Sequence, residues 1–286
     1  MGRLVISRLL EVGHQVTCFS RDEQKQRTMH KNVNLHCIIG DIRDYDSVLD
    51  VMENNYHAVL NLAALKCVDT VEANPLESVK TNVLGVQNVI RACEKTSLPK
   101  IYFTSTDKAC YPINVYGQCK AISERLVNQY RGDSEVFRYG NILGSRGSVL
   151  SSFVQTILTK GEVNLTDPEM TRFWVLSHDV ADKISESIEN NRSENNLSVR
   201  LSKTMRVMDV AGVVGDILGH EKINYKLIGI RPGEKIHETL ITSHDKVDGD
   251  WFDKDVDSFT YDRYSKSEFR EMITPLVLRI RESLNL

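Results

Sequence analysis

Short apolar runs rich in β-branched and aromatic residues recur along the first half of the chain, over residues 15–20, 34–40, 57–62, 100–105 and 135–139. Between them the apolar positions take helical spacing, over 22–30, 45–54, 75–96 and 113–131. In the third of these, Val79, Val83, Val86, Val89 and Ile90 fall close to helical spacing, behind a proline suited to a first turn. Strands alternating with helices predict right-handed crossovers and a parallel sheet covered on both faces, a doubly wound α/β fold. After Gly140 the rhythm changes. Helices are expected over 149–160, 180–190 and 207–218 and a strand over 197–201, with mixed segments over 223–228, 233–241 and 266–282. The division expected is a first domain over 1–145, with 173–205 returning to it, and a smaller mixed lobe from 146–172 and 206–286. The acidic run over 245–257 reads as a solvated surface segment rather than a metal site.

The beginning is unusual. Residues 1–12 read as an amphipathic helix closed by Gly13, and a strand follows at once. A doubly wound nucleotide-binding sheet opens with a strand and a glycine-rich turn, whose amides meet a pyrophosphate ahead of this helix. Gly2 stands where the last glycine of such a turn belongs. The expectation is that Met1 was internal to a turn of the form G-x-x-G-x-M-G, preceded by a central strand, and that residues 1–286 alone bind cofactor poorly. The alternative is a fold that simply starts with a helix.

Charge and composition narrow the function classes. Lys plus Arg number 36 and Asp plus Glu 39, a net charge of −3, so no basic field marks a nucleic-acid or anionic-membrane partner. Hydrophobic residues make up 41% and charged residues 26%, a globular proportion. No apolar run nears the ~18 residues of a membrane span. The six cysteines form no CxxC pair and read as buried, reduced thiols of a cytoplasmic protein. The histidines show no metal-ligand spacing, and no metal is assigned.

Chemistry concentrates in Thr104-Ser105-Thr106-Asp107-Lys108, at the end of an apolar strand, followed by Tyr116-Gly117-Gln118-Cys119-Lys120. A Tyr and a Lys four apart share a helix face, where the ammonium can favour phenolate and make Tyr116 a general base towards a sugar hydroxyl. Alone, YxxxK is common on surface helices; after an Asp at a parallel strand's end it gains weight, because ligands bind there. Ser20 and Arg21 follow the second strand, where an acid would favour NAD; a hydroxyl and a guanidinium suit the 2′-phosphate of NADP. Arg21 could equally be a solvated first-turn residue, and Asp41 a helix N-cap. Arg231, in an Arg-Pro-Gly-Glu-Lys turn, suits a pyrophosphate, with Glu234 on a sugar or ribose hydroxyl and Arg172 orienting the lobe.

On these residues the sequence resembles the extended short-chain dehydrogenase/reductases, and within them the UDP-N-acetylglucosamine 4,6-dehydratases of polysaccharide biosynthesis. The matching blocks run in order from Gly2 to about Thr242, among them Gly40-Asp41-Ile42-Arg43-Asp44, Ala63-Ala64-Leu65-Lys66, Asp107-Lys108, Met170-Thr171-Arg172-Phe173-Trp174 and Arg231-Pro232-Gly233-Glu234-Lys235. The resemblance implies a Rossmann-like NADP-binding domain and a substrate lobe. It implies transient hydride transfer from C-4 to NADP, with Tyr116 taking the 4-hydroxyl proton, Thr106 supporting the 4-oxygen, Lys108 removing the C-5 proton and Asp107 protonating the departing 6-hydroxyl. Cofactor contacts are implied for Gly2, Ser20, Arg21 and Asp22, for Asp41 and Ile42 at the adenine, for Leu62 and Ala63, and for Thr81, Asn82, Lys120 and Ile142. Substrate contacts are implied for Lys66, Tyr116, Asn141, Val149, Thr166, Arg231 and Glu234.

Lys108 in place of Glu resembles the amino-sugar group, and Tyr116, where membrane-anchored retaining relatives carry Met, resembles the soluble C-5-inverting enzymes. A UDP-sugar substrate and a homo-oligomer are expected. The rival readings are an NADP-dependent nucleotide-sugar epimerase or reductase, a truncated inactive paralogue, and a generic nucleotide-binding module.

Overall fold

The computed structural model describes every residue except 30, 146, 192–195, 221 and 285–286. Helix α1 (Gly2–Glu11) turns Val5 inward and leads through Gly13, at φ +92°, into β1 (Val16–Ser20). Asp22 caps the short α2 (Glu23–Arg27) by accepting from Lys25 N, and β2 (Leu35–Ile39) runs parallel to β1 with Cys18 opposite Cys37. Residue 30, where the helix over 22–30 was expected to end, lies outside the described residues. Asp44, rather than Asp41, caps α3 (Tyr45–Met52), accepting from the Asp46 and Ser47 amides.

After β3 (Ala58–Asn61) come α4 (Val68–Ala73) and α5 (Pro75–Ser78). The single helix expected over 75–96 is interrupted: Val79–Leu84 is wound as a π-helix before α6 (Gly85–Lys95) resumes. The Asn82 carbonyl in this stretch accepts a 2.5 Å bond from the Ser123 hydroxyl, an added partner that favours a widened turn. Next are β4 (Lys100–Thr104), α7 (Val115–Asn128) and β5 (Ser134–Arg138).

The remaining chain forms β6 (Asn141–Leu143), α8 (Val149–Lys160), β7 (Glu162–Leu165), β8 (Thr171–Leu176), α9 (Ser177–Asn190), β9 (Asn196–Val199) and β10 (Thr204–Arg206). It continues through α10 (Val207–Leu218), β11 (Asn224–Leu227), β12 (Thr239–Ile241), β13 (Lys246–Val247), β14 (Asp250–Trp251), β15 (Val256–Asp257) and α11 (Lys266–Ser283). Residues 223–228 and 233–241 thus contribute only short strands.

The main sheet has the order β14-β13-β9-β5-β4-β3, with β3, β4, β5, β9 and β13 parallel and β14 antiparallel at the edge. Among the described residues β1 and β2 pair only with each other. Every residue of β4 and β5 is buried, because helices cover both faces. One face packs Val48, Val86, Val89 and Val127 against Ile101, Phe103 and Val136, and the other packs Val5, Val180 and Ile184 against Tyr102 and Phe137. This is the Rossmann-like α/β architecture. A third core, around Leu150, Phe153, Trp174, Val210 and Phe269, joins α8, α10 and α11 to β8. No described helix is long and apolar enough to cross a membrane.

Two sequence expectations need correction. The acidic run over 245–257 is not simply solvated: β13 extends the main sheet beside β9, and Asp245 pairs with the buried Arg138 at 2.6 Å. Nor are all six cysteines buried. Cys37 on β2 is exposed and Cys18 on β1 half-buried, since little covers the β1–β2 pair; Cys67, just ahead of α4, is exposed too, and Cys93, Cys110 and Cys119 are enclosed.

Candidate active site

Strand β4 ends at Thr104, and the chain turns through Ser105 and Thr106 into a short 3₁₀ turn, Asp107–Ala109. The Asp107 amide donates to the Tyr139 carbonyl, which anchors this turn to the segment after β5. Asp107 is fully buried. Its Oδ1 accepts from the Thr106 hydroxyl at 2.9 Å and from Lys108 Nζ at 3.0 Å, while Oδ2 accepts nothing from the described residues. Lys108 Nζ also donates to Asn141 Oδ1 at 3.2 Å and lies 3.5 Å from Glu238 Oε1. Burial works to lower the Lys108 pKa, but Asp107 and Glu238 outweigh it against the opposition of Arg172, so the ammonium is held above its ordinary value.

Helix α7 supplies Tyr116 and Lys120. Asn114 caps it, accepting from Gly117 N at 2.7 Å and donating to the Gly233 carbonyl at 2.8 Å, while Glu72 accepts from Val115 N at 2.6 Å. These bonds tie the Arg231–Lys235 turn, where Gly233 takes φ +80°, to the start of the helix. Gly117 allows α7 to touch the Lys108 backbone: a Cβ there would stand 2.1 Å from the Lys108 carbonyl oxygen. Gly117→Ala is therefore expected to separate Tyr116 from Asp107-Lys108, at an overpacking cost of about 1–3 kcal/mol. A lowered guanidinium midpoint together with lost turnover is the expected result; an unchanged midpoint contradicts the contact.

The expected activation of Tyr116 by Lys120 is not what the structure displays. Burial pushes the phenol well above its usual value, Tyr139 and Asp107 add to this, and a hydrogen bond with Thr106 opposes it. Lys120 instead donates to the Thr104 carbonyl at 2.6 Å and lies over the Phe103 ring. Burial brings its pKa down to about 8 against the pull of Glu124 and Cys119. With its Nζ directed at the β4 terminus, Lys120 is spent on the strand end rather than on the phenol.

The other sequence-chosen residues fall in three places. Beyond β1 and β2, Arg21, Asp41 and Arg43 interlock: Asp41 Oδ2 is 3.3 Å from Arg21 Nη1 and 2.7 Å from Arg43 Nη2, and Arg43 reaches Glu77, which also holds Lys80. A cavity of about 370 Å³ opens there between Asp41, Arg43, Asp44, Lys80 and Leu84. Ile42 is half-buried, with its side chain against Gly85. Ser20 accepts from Asp22 N.

At the end of β3, a Cβ at Gly2 would stand 3.4 Å from the Leu62 side chain, and Ala63 is exposed. Asn82 clamps Leu65 through both its amide atoms, at 2.8 Å each, and also donates to Ser78; Thr81 is buried beside it. Asn82 thus shapes the loop after β3.

At the mouth beyond β6, Lys66 donates to Ser145 at 3.2 Å, and Ile142 and Val149 are half-buried. Thr166 follows β7. Arg231 and Glu234 pair with each other at 2.9 Å on the exposed turn. Arg172 is buried and donates to the Thr171, Lys235 and Ile236 carbonyls, so it holds the segment after that turn. Sequence reasoning missed Glu72, Asn114 and Arg43, and above all Glu238, whose only signal is the shared parity with Ile236 and Leu240 in a short strand-like stretch.

The family model described as polysaccharide biosynthesis protein matches residues 1–257. The UDP-glucose 4-epimerase of Rickettsia canadensis is 38% identical over 259 residues, covering 85% of this chain and 75% of the relative. The inverting UDP-N-acetylglucosamine 4,6-dehydratase of Campylobacter jejuni is 37% identical over 244 residues, covering 81% and 71%. Among solved structures, Pen from Bacillus thuringiensis superposes with a TM-score of 0.86 at 30% identity, over 97% of this chain and 94% of that one. With the strand-end Asp-Lys pair and the helix-borne Tyr and Lys in place, the chain belongs to the polysaccharide biosynthesis protein family, among the nucleotide-sugar dehydratases and epimerases of the extended short-chain dehydrogenase/reductases.

Proposed function

We propose that this chain is a 4,6-dehydratase of UDP-N-acetylglucosamine, working with NADP and inverting C-5. The observation that carries the reading is the contact between Lys108 Nζ and Asp107 Oδ1 at 3.0 Å, with Oδ2 unpartnered and Thr106 bonded to both Asp107 and the Tyr116 phenol. As found, the pair is an ammonium beside a carboxylate. Passing one proton across that contact gives an amine and a carboxylic acid, the base and the acid that an elimination across C-5 and C-6 needs.

The residues fit the cofactor. Arg21, Arg43 and Lys80 gather cationic groups around the cavity beyond β2, where a 2′-phosphate would replace carboxylate partners. Asp41 and Ile42 would hold the adenine end, and Leu62, Ala63 and Lys120 the nicotinamide ribose end. When bound, NADP would supply the hydride acceptor for C-4 and the hydride for C-6, after which C-5 would take back a proton. Tyr116 would take the 4-hydroxyl proton as a phenolate, which requires a cation nearer the phenol than Lys120 now stands, and Thr106 would hydrogen-bond the 4-oxygen. The neutral Lys108 amine takes the C-5 proton, acidified by the 4-ketone, and Asp107 gives its proton to the departing 6-hydroxyl. Arg231, freed from Glu234, suits the pyrophosphate, and Glu234 a hydroxyl.

Incubated with UDP-N-acetylglucosamine and NADP, the full-length form is expected to release a nucleotide sugar lighter by one water, with no NADPH accumulating. Stoichiometric NADPH would mark a dehydrogenase, and a product of unchanged mass an epimerase. For cofactor choice, Arg21→Ala is expected to weaken NADP but not NAD by about 1–3 kcal/mol, a lost charged hydrogen bond. Equal weakening of both in calorimetry would make Arg21 structural.

A further inference from the structure

Glu238 is a buried charged group at the site that the scheme above leaves without a task. It is 2% exposed, just ahead of β12, on a segment far in sequence from the β4 turn. Three cations face its carboxylate. Oε1 lies 3.5 Å from Lys108 Nζ and 4.0 Å from Arg172 Nε, and Oε2 lies 3.4 Å from Lys235 Nζ while accepting no hydrogen bond. Two of these cations have other work: Lys235 donates to the Cys110 carbonyl at 2.7 Å, and Arg172 to three main-chain carbonyls. The Glu238 backbone is fixed in turn, its amide donating to Ser258 at 2.8 Å and its carbonyl accepting from Ser258 N at 2.7 Å. The carboxylate therefore approaches Lys108 from a rigid frame.

We propose that Glu238 is the positioning residue of Lys108. It grips the amine from the C-terminal segment, opposite Asp107, and sets the pH at which that amine becomes a base. The inference rests on the dehydratase reading. Lys108 hangs from a short turn, and its Nζ is located by three oxygens: Asp107, Asn141 and Glu238. Asp107 and Asn141 both belong to the nucleotide-binding half of the site, so among the described residues Glu238 alone couples the amine to the segment carrying Arg231 and Glu234. Its negative charge stabilises the ammonium, and removing it must lower the Lys108 pKa. The other groups that bear on this titration are Asp107, which raises it, Arg172, which lowers it, Lys235 on the far oxygen, and Tyr116, which shares Asp107.

The test isolates the Lys108 step. The 4-keto-6-deoxy product made by the native protein is returned to it in deuterated water, and exchange of the C-5 proton is followed against pH. Exchange needs the neutral amine, so its rate climbs as Lys108 loses its proton and then levels. In Glu238→Gln the climb is expected about 1–3 pH units lower, the shift of one nearby opposite charge, with a reduced plateau because the amine is less well held. Glu238→Asp keeps the charge and shortens the reach, so its climb is expected near the native pH with a plateau several-fold lower. A Gln variant that climbs at the native pH, or an Asp variant with native climb and plateau, overturns the proposal. Either variant suffices if the other does not fold. If the native protein makes no 4-keto-6-deoxy product, the dehydratase reading has failed and this inference falls with it; native turnover with unshifted variants removes Glu238 alone.

Discussion

Lys108→Met is expected to cut formation of the 4-keto-6-deoxy sugar by about 10²–10⁴-fold, the usual contribution of a positioned acid or base. The same variant is expected to incorporate no solvent deuterium at C-5. It should still reduce NADP in a single turnover, because Tyr116 and Thr106, which serve the 4-hydroxyl, are untouched. That split is the signature of a base acting after oxidation. Met keeps most of the length of the side chain but leaves Asp107 and Glu238 without the cation between them. Melting curves of the variant are the control for a lost fold. Deuterium entering C-5 at the native rate would remove Lys108 from the role.

Arg138→Met carries the largest expected loss of stability, about 3–5 kcal/mol, because it leaves the buried Glu124 carboxylate and the partly buried Asp245 carboxylate without a cation. Arg138 closes β5 and is 5% exposed. It makes a two-pronged contact with Glu124 of α7, at 3.2 and 2.7 Å, and holds Asp245 at 2.6 Å and the Leu240 carbonyl at 3.3 Å. One side chain thus joins the sheet, the helix bearing Tyr116 and Lys120, and the segment that continues from Glu238. Burial lowers its pKa, but Glu124, Cys110 and Asp245 more than reverse this and raise it. A guanidinium titration reads the loss. Substituting Glu124→Gln and Asp245→Asn alongside Arg138→Met is expected to recover part of it, since no unpaired charge then remains. A midpoint unchanged in the single variant contradicts the network.

The elements of the first half were legible because each strand is a short apolar run between amphipathic helices, and the helices begin or end within a few residues of their pattern. Helices 149–160 and 207–218 match α8 and α10 to the residue. What escaped is of three physical kinds. Strands β6, β8 and β10 are short or buried on both faces, so no period of two marks them, and β7 alternates over only four residues; five of the six residues of β8 are buried. The π-wound turn has a bonding partner in Ser123, more than forty residues from the Asn82 carbonyl it binds. The acidic run looked solvated because Asp245 has its partner on β5, outside any local window.

Within the site, Asp107, Lys108 and Tyr116 stood out because they flank one strand end and one helix start. Glu238 did not, since its meaning comes only from the three cations that folding gathers around it.

The most direct measurement uses UDP-N-acetylglucosamine carrying deuterium at C-4, with catalytic NADP, and locates the label in the product. A dehydratase that carries its own hydride from C-4 to C-6 places the deuterium in the new 6-methyl group, beside a 4-ketone, with NADP unchanged in amount. Deuterium recovered at C-4 of a sugar that has lost no water would mean that the hydride returns to the carbon it left, and would contradict the account by making the chain an epimerase.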